Sequence, residues 1–151
     1  MESLALLMAV LLGPWLPAQD LAFREFFDPT PRELRPSARL LSLEGRRVRL
    51  AGFMARSEEP PSGGFFLCAF PVVATEAGGG TADLPPETVF VVVPSAAGRA
   101  VPWTPHPVAV EGVLALGSRA GEDGQVSSIR VVLDGPLPNR AGPGQPASPQ
   151  P

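Results

Sequence analysis

Two short segments of this chain share a pattern that limits what it can fold into. Val48-Arg-Leu50-Ala-Gly52 and Val108-Ala-Val110-Glu-Gly112 both read Val-x-apolar-x-Gly, and each continues with another apolar residue. Apolar side chains at every second position mark a half-buried strand. A glycine inside such a strand weakens it, and so marks a sharp bend or bulge where a sheet coils. Two strands bent in the same way are what a small closed sheet needs.

Three further segments carry strand signals. Gly64 to Phe70 is a short, dense apolar run, and Thr88 to Val93 is β-branched and bounded by Pro86 and Pro94. Ser127 to Asp134 places Ile129, Val131 and Leu133 inward and Arg130 outward. Together with Arg47 to Ala55, where Arg47 and Arg49 lie opposite Val48 and Leu50, and Val108 to Leu116, this makes five strands. The expected fold is all-β: a small five-stranded OB-like barrel over 46–134, with an open antiparallel sandwich as its competitor. Proline and glycine make up 36 of the 151 residues, a level that raises the question of disorder, but 44% of the chain is hydrophobic, enough to build a core. The segment 135–151, with 9 Pro or Gly in 17 residues and no apolar periodicity, is expected to be a disordered tail.

The N-terminal end reads as an address. Leu4 to Leu12 is a nine-residue apolar run followed by Gly13, Pro14 and Pro17, with Ala18 where a signal peptidase could cut. A bilayer span needs about 20 apolar residues, so the run suits the apolar region of a secretory signal instead. Residues 1–18 are therefore expected to be a cleaved signal peptide, leaving a periplasmic or extracellular protein with no transmembrane span. Glu2 and the absence of a cation ahead of the run depart from the usual signal. Cys68 is the single cysteine, so an internal disulfide is excluded; in its apolar setting it is expected to be a packed, inert thiol.

Residues 19–45 form a lead-in. Leu21, Phe23, Phe26 and Phe27 are apolar anchors between charges, and three phenylalanines in five residues will not stay in water unaided. They are expected to pack on the domain or on a partner, and Phe23, Phe26 and Phe27 are the candidate partner contacts. Ser37 to Leu43 is predicted to form a short helix capped near Ser37 and ended by Gly45.

Catalytic signatures are scarce. His106 is the only histidine and lies in a proline-locked turn, no Gly-x-Ser-x-Gly elbow occurs, and His106, Cys68 and Met54 are too scattered for a soft-metal site. No catalytic residue, metal ligand or cofactor is assigned. The run Gly78-Gly79-Gly80 suggests a phosphate cradle, but it lacks the lysine of a Walker loop and leads to a strand rather than a helix. The loop 71–87 is long enough to be functional, and Glu76, Thr81 and Asp83 either line a binding surface or close turns through their own backbone.

Charge is divided unevenly. From residue 19 to Arg56 there are eight Arg against five acids, and from Ser57 onward four Arg against nine. Arg46, Arg47, Arg49 and Arg56 form a basic patch, with Arg47 and Arg49 the candidate anion-binding pair. Single-strand binders combine such patches with aromatic platforms, and here Tyr is absent and the remainder acidic, so no nucleic-acid partner is expected, although single-stranded nucleic acid remains an alternative for an OB-fold.

Leu43 to Met54, Gly64 to Cys68, Gly78 to Pro86 and Val110 to Gly112 together resemble a group of uncharacterised exported bacterial proteins with an OB-like domain of unknown function. The resemblance covers roughly Leu43 to Asp134 and implies a compartment and a fold. Some of those proteins carry a paired Cys and His in the middle loop, and this chain does not. The expected function is a non-catalytic binding or accessory module of the bacterial envelope that engages a protein partner. The alternative is a small anionic ligand or glycan held at the barrel face by Arg47 and Arg49.

Overall fold

In the computed structural model, residues 17–30, 32–74, 84–135 and 137 are described. The strands in chain order are β1 (Gln19–Asp20), β2 (Phe27–Asp28), β3 (Arg35–Pro36), β4 (Arg47–Met54), β5 (Arg56–Ser57), β6 (Gly64–Cys68), β7 (Val73–Ala74), β8 (Val89–Val92), β9 (Val108–Ala120) and β10 (Val126–Leu133). One α-helix, α1 (Ala38–Ser42), precedes β4. The fold is thus mostly β, and all five expected strands form within a few residues of their expected ends.

The main sheet has six strands in the order β1-β4-β6-β8-β10-β9, and β4 also pairs with β9. The hydrogen-bonded neighbours β4, β6, β8, β10 and β9 therefore run in a closed cycle. Every pairing in the cycle is antiparallel except β8 with β10, where Phe90 lies beside Arg130 and Val92 beside Val132. The sheet has one strand more than expected because β1 adds in parallel to the first half of β4, Gln19 beside Val48. β6 meets β4 only at Phe53 and Met54, so β1 pairs where β6 does not.

The alternation read from the sequence places the core. Val48, Leu50, Leu67, Val89, Val91, Val110, Leu114 and Val131 are all buried. Gly52 and Gly112 also face inward, and neither is a bulge. Both keep the regular β4–β9 register, and what they supply is close approach. A Cβ on Gly52 would lie 2.5 Å from the Cys68 carbonyl oxygen, and one on Gly112 would lie 2.2 Å from that of Val132. The register irregularity falls instead in β10, between Ser127 and Ile129.

The register is regular from Ile129 to Leu133, so Arg130 takes the face opposite Ile129 and Val131 as expected, but it is not left exposed there. A strict two-residue period points Arg130 outward, yet the residue is 8% exposed. Its Nη1 donates to the carbonyl oxygens of Gly117 at 2.7 Å and Ser127 at 2.8 Å. The guanidinium thus lies back over the β9–β10 hairpin and satisfies carbonyls there, while burial and the neighbouring charge of Arg119 lower its pKa.

The lead-in belongs to the same core. Leu21 donates its N–H to the Arg49 carbonyl at 2.9 Å, and Ser37 donates to that of Phe26 at 2.8 Å. Ser37 also caps α1, its hydroxyl accepting from the Leu40 N–H at 3.0 Å, which satisfies a donor that has no partner within the helix. Gly45, with φ +75, turns the chain into β4. Phe26 is fully buried, and Phe23 packs on it with ring centroids 5.2 Å apart. Phe23 and Phe26 are therefore core residues and not the partner contacts expected of them; Phe27 is half-buried against the same core. The proposed signal peptide, apart from Pro17 and Ala18, and the tail after Leu137 lie outside the described residues. Among the described residues no helix is long and apolar enough to cross a membrane.

Candidate functional site

The basic face of β4 is a network of ion pairs. Arg47 Nε lies 2.5 Å from Asp134 Oδ2, and its Nη2 lies 3.1 Å from Glu111 Oε2. The hydrogen bond to Asp134 raises the Arg47 pKa further above its already high ordinary value. Arg49 is exposed, with Glu111 4.0 Å away. Cross-strand pairing explains this: Glu111 sits directly opposite Arg49 in the β4–β9 register. An anion reaching Arg47 would have to displace two carboxylates already in place. Glu76, Thr81 and Asp83 lie outside the described residues.

Cys68 is buried, with Sγ 3.6 Å from Thr88 Oγ1. Burial pushes its thiol pKa up, the Thr88 contact opposes this, and the charge of Glu87 adds to it. The resulting thiol is protonated and shielded, which matches the expectation of a packed cysteine. His106 is exposed, and its backbone N–H donates to Thr104 Oγ1 at 3.3 Å. Among the described residues, no three His, Cys, Asp or Glu side chains stand close enough to hold a metal ion.

A concave feature lies elsewhere, and the sequence did not point to it. A cleft of about 240 Å³ opens between the β4–β6 connection, the segment 100–103 after β8, and Gln125 at the β9–β10 turn. Met54, Phe65 and Phe66 line it from the sheet, and Pro61, Pro102 and Trp103 from the loops. The walls are tied together through the backbone. Ser62 bridges to Ala100, Gly98 donates its N–H to Glu122 Oε2 at 2.8 Å, and Ser62 donates to Asp123 Oδ2 at 3.3 Å. Both carboxylates come from the β9–β10 turn, so one acidic turn holds two loops in place.

Trp103 is the exposed aromatic of this cleft. Its Nε1 donates to the Met54 carbonyl at 3.1 Å, fixing the ring, which remains 41% exposed. The Arg56 guanidinium stands over the ring, 5.1 Å from its centroid, a cation–π arrangement. Among the described residues Arg56 makes no ion pair. Val73, beside Arg56 in the β5–β7 register, is 64% exposed, so apolar surface continues outside the cleft. The Oε1 of Gln125 is buried without a hydrogen-bond partner among the described residues.

These residues come from four separate stretches of chain, and no local motif links them. The one available signal was Trp103 in the proline-locked turn Trp103-Thr-Pro-His-Pro107, where an aromatic side chain is held outside any strand.

No family model matches the chain, and no curated protein matches it. Among solved structures, the chain is similar to a DUF3299 family protein from Pseudomonas aeruginosa, with a TM-score of 0.48 and 12% identity. That similarity covers 84% of this chain and 99% of the other.

Proposed function

We propose that this protein is an exported, non-catalytic binding module of the bacterial envelope, built on an OB-like five-stranded barrel, and that it captures a protein partner in the cleft beside Trp103. The closed cycle β4-β6-β8-β10-β9, with its single parallel pairing, supports the barrel. The apolar run Leu4 to Leu12 ahead of Ala18 supports export, and the resemblance to uncharacterised exported bacterial proteins supports the compartment.

The observation that carries the partner class is the size and lining of the cleft. Small-molecule sites enclose about 300–1,000 Å³, and this one, at about 240 Å³, is smaller. An apolar recess of that size, rimmed by an exposed tryptophan and an arginine, suits one large side chain of a protein partner, the kind of anchor that dominates binding energy at interfaces. The exposed Trp103 and Val73 then supply surface around that anchor.

Panning a displayed peptide library on the full chain tests this. Enriched peptides are expected to share one large apolar residue, to weaken about tenfold or more on Trp103→Ala, and to bind Arg47→Ala normally. Absence of enrichment, or weakening on Arg47→Ala with Trp103→Ala neutral, would reject the cleft as the partner surface.

A further inference from the structure

Resting on the export reading, we infer that cleavage after Ala18 leaves Gln19 as the first residue and that this glutamine closes on itself to pyroglutamate, with Arg39 assisting at the side-chain amide. The chain has no lysine, so the modification removes the one aliphatic amine of the exported protein.

The step balances within a single residue. The α-amine nitrogen of Gln19 attacks the carbon of its own side-chain amide, the bond from that carbon to the amide nitrogen breaks, and the proton given up by the amine departs with that nitrogen as ammonia. The product is a five-membered lactam that keeps one N–H, and no second substrate enters. Both reacting groups belong to one side chain and its own backbone, so the reaction has the rate advantage of proximity. An α-amine titrates at about 7.7–8.0, so part of it is the free, nucleophilic base near neutral pH.

Two observations point to this chemistry. The first is that β1 begins at Gln19, so the end freed by cleavage is the first residue of the sheet. Gln19 lies beside Val48 and Asp20 beside Arg49, and the Leu21 N–H donates to the Arg49 carbonyl at 2.9 Å. Gln19 is exposed, which gives ammonia a direct exit to solvent. The second is Arg39 of α1, which reaches across to this end. Its Nη1 donates to Gln19 Oε1 at 3.4 Å and its Nη2 to the Asp20 carbonyl at 3.0 Å, while its Nε faces Glu25 at 3.6 Å. The guanidinium is thereby aimed at the oxygen on which negative charge develops as the amine attacks. At 3.4 Å, and with the Arg39 side chain 45% exposed, that assistance is far smaller than a buried oxyanion site supplies.

The test exports the full chain from a bacterial host, weighs the product by mass spectrometry and treats it with an amine-reactive label, which on a chain without lysine reports the N-terminus alone. The expected product is residues 19–151 lighter by one ammonia and unlabelled. A product that starts at Gln19 but keeps its full mass and takes the label overturns the cyclisation while leaving export in place. A product cut at another bond overturns Gln19 as the first residue, and a chain that keeps residues 1–18 and stays in the cytoplasm overturns the export reading itself.

The role of Arg39 is read separately. A protease site inserted between Ala18 and Gln19 of the full chain frees the amine at a chosen moment in the folded protein, and loss of labelling gives the rate. Arg39→Gln changes an exposed side chain and is expected to keep the fold by circular dichroism, to slow cyclisation about fivefold, and to have no effect in urea, where the contact is gone. Equal rates for the two folded chains overturn the assistance by Arg39.

Discussion

Replacing Phe26 by alanine separates a lead-in that is part of the domain from one that waits for a partner. Phe26 has no exposed surface, packs on Phe23 at 5.2 Å between ring centroids, and accepts the Ser37 N–H through its carbonyl. Only the ring is lost in Phe26→Ala, so the backbone bond stays and the effect reports packing. Truncating a buried phenylalanine costs about 3–5 kcal/mol, because the lost transfer energy adds to that of the cavity left behind. With a urea dependence of about 1–3 kcal/mol per molar for small domains, the unfolding midpoint should fall by about 2 M. Phe27→Ala, at a half-buried site, should cost about 1 kcal/mol or less. Urea unfolding followed by circular dichroism measures both. A loss below about 1 kcal/mol for Phe26→Ala would mean that residues 19–45 are not part of the core and would return Phe26 to the surface.

Further outcomes follow from single contacts. Gly112→Ala places a Cβ 2.2 Å from the Val132 carbonyl oxygen, a backbone atom that cannot move without shifting β10, and should destabilise the fold by about 3 kcal/mol in the same urea experiment. The Arg47–Asp134 pair is partly exposed, so a double-mutant cycle should give a coupling of about 1 kcal/mol or less that shrinks as salt is added. Cys68 predicts an alkaline signature, since the chain has no Lys and no Tyr and the thiol is the one side chain that titrates between the histidine and arginine ranges. Burial raises its pKa in the folded state, so above the ordinary thiol range the unfolded chain has lost a proton that the folded chain keeps. Stability should therefore fall as pH rises, by up to about 1.4 kcal/mol per pH unit, until the folded thiol also ionises. Cys68→Ala should abolish that slope, and a slope retained in the variant would assign it elsewhere.

The parts of the fold that were legible in the sequence are those governed by local periodicity. Val48 and Leu50, and Val108 and Val110, alternate because one face of each strand is covered, and the helix cap at Ser37 is a matter of four adjacent residues. The two glycine-bearing strands also pointed to a closed set of strands, and β4 and β9, which carry the glycines, are the pair that completes the cycle. The burial of Arg130 is not legible because a two-residue period gives the face of a residue but not the carbonyls, here those of Gly117 and Ser127, onto which a long side chain folds back. β1 was missed because two residues have no period, and its place is set by the part of β4 that β6 does not reach.

The candidate site was less legible, for a physical reason. Trp103 and Met54 are joined by a hydrogen bond across 49 positions of sequence, and Gln125 reaches the cleft only because Glu122 and Asp123 fasten the β9–β10 turn to distant loops. Phe23, Phe26 and Arg47 were conspicuous in the sequence because they are large or charged, and the same properties recruit them into the core and into ion pairs.

The most direct test of a protein-capturing cleft is the indole signal of Trp103 in the nitrogen-15-labelled full chain, distinguished from that of Trp15 by a Trp15→Phe variant. Titration with an unlabelled library-selected peptide should shift the Trp103 indole and the backbone amides of Phe65, Phe66 and Gln125 along one saturable curve, leaving Arg47 and Arg49 unmoved. Saturable shifts confined to the Arg47 and Arg49 face, with the Trp103 indole unchanged, would contradict it.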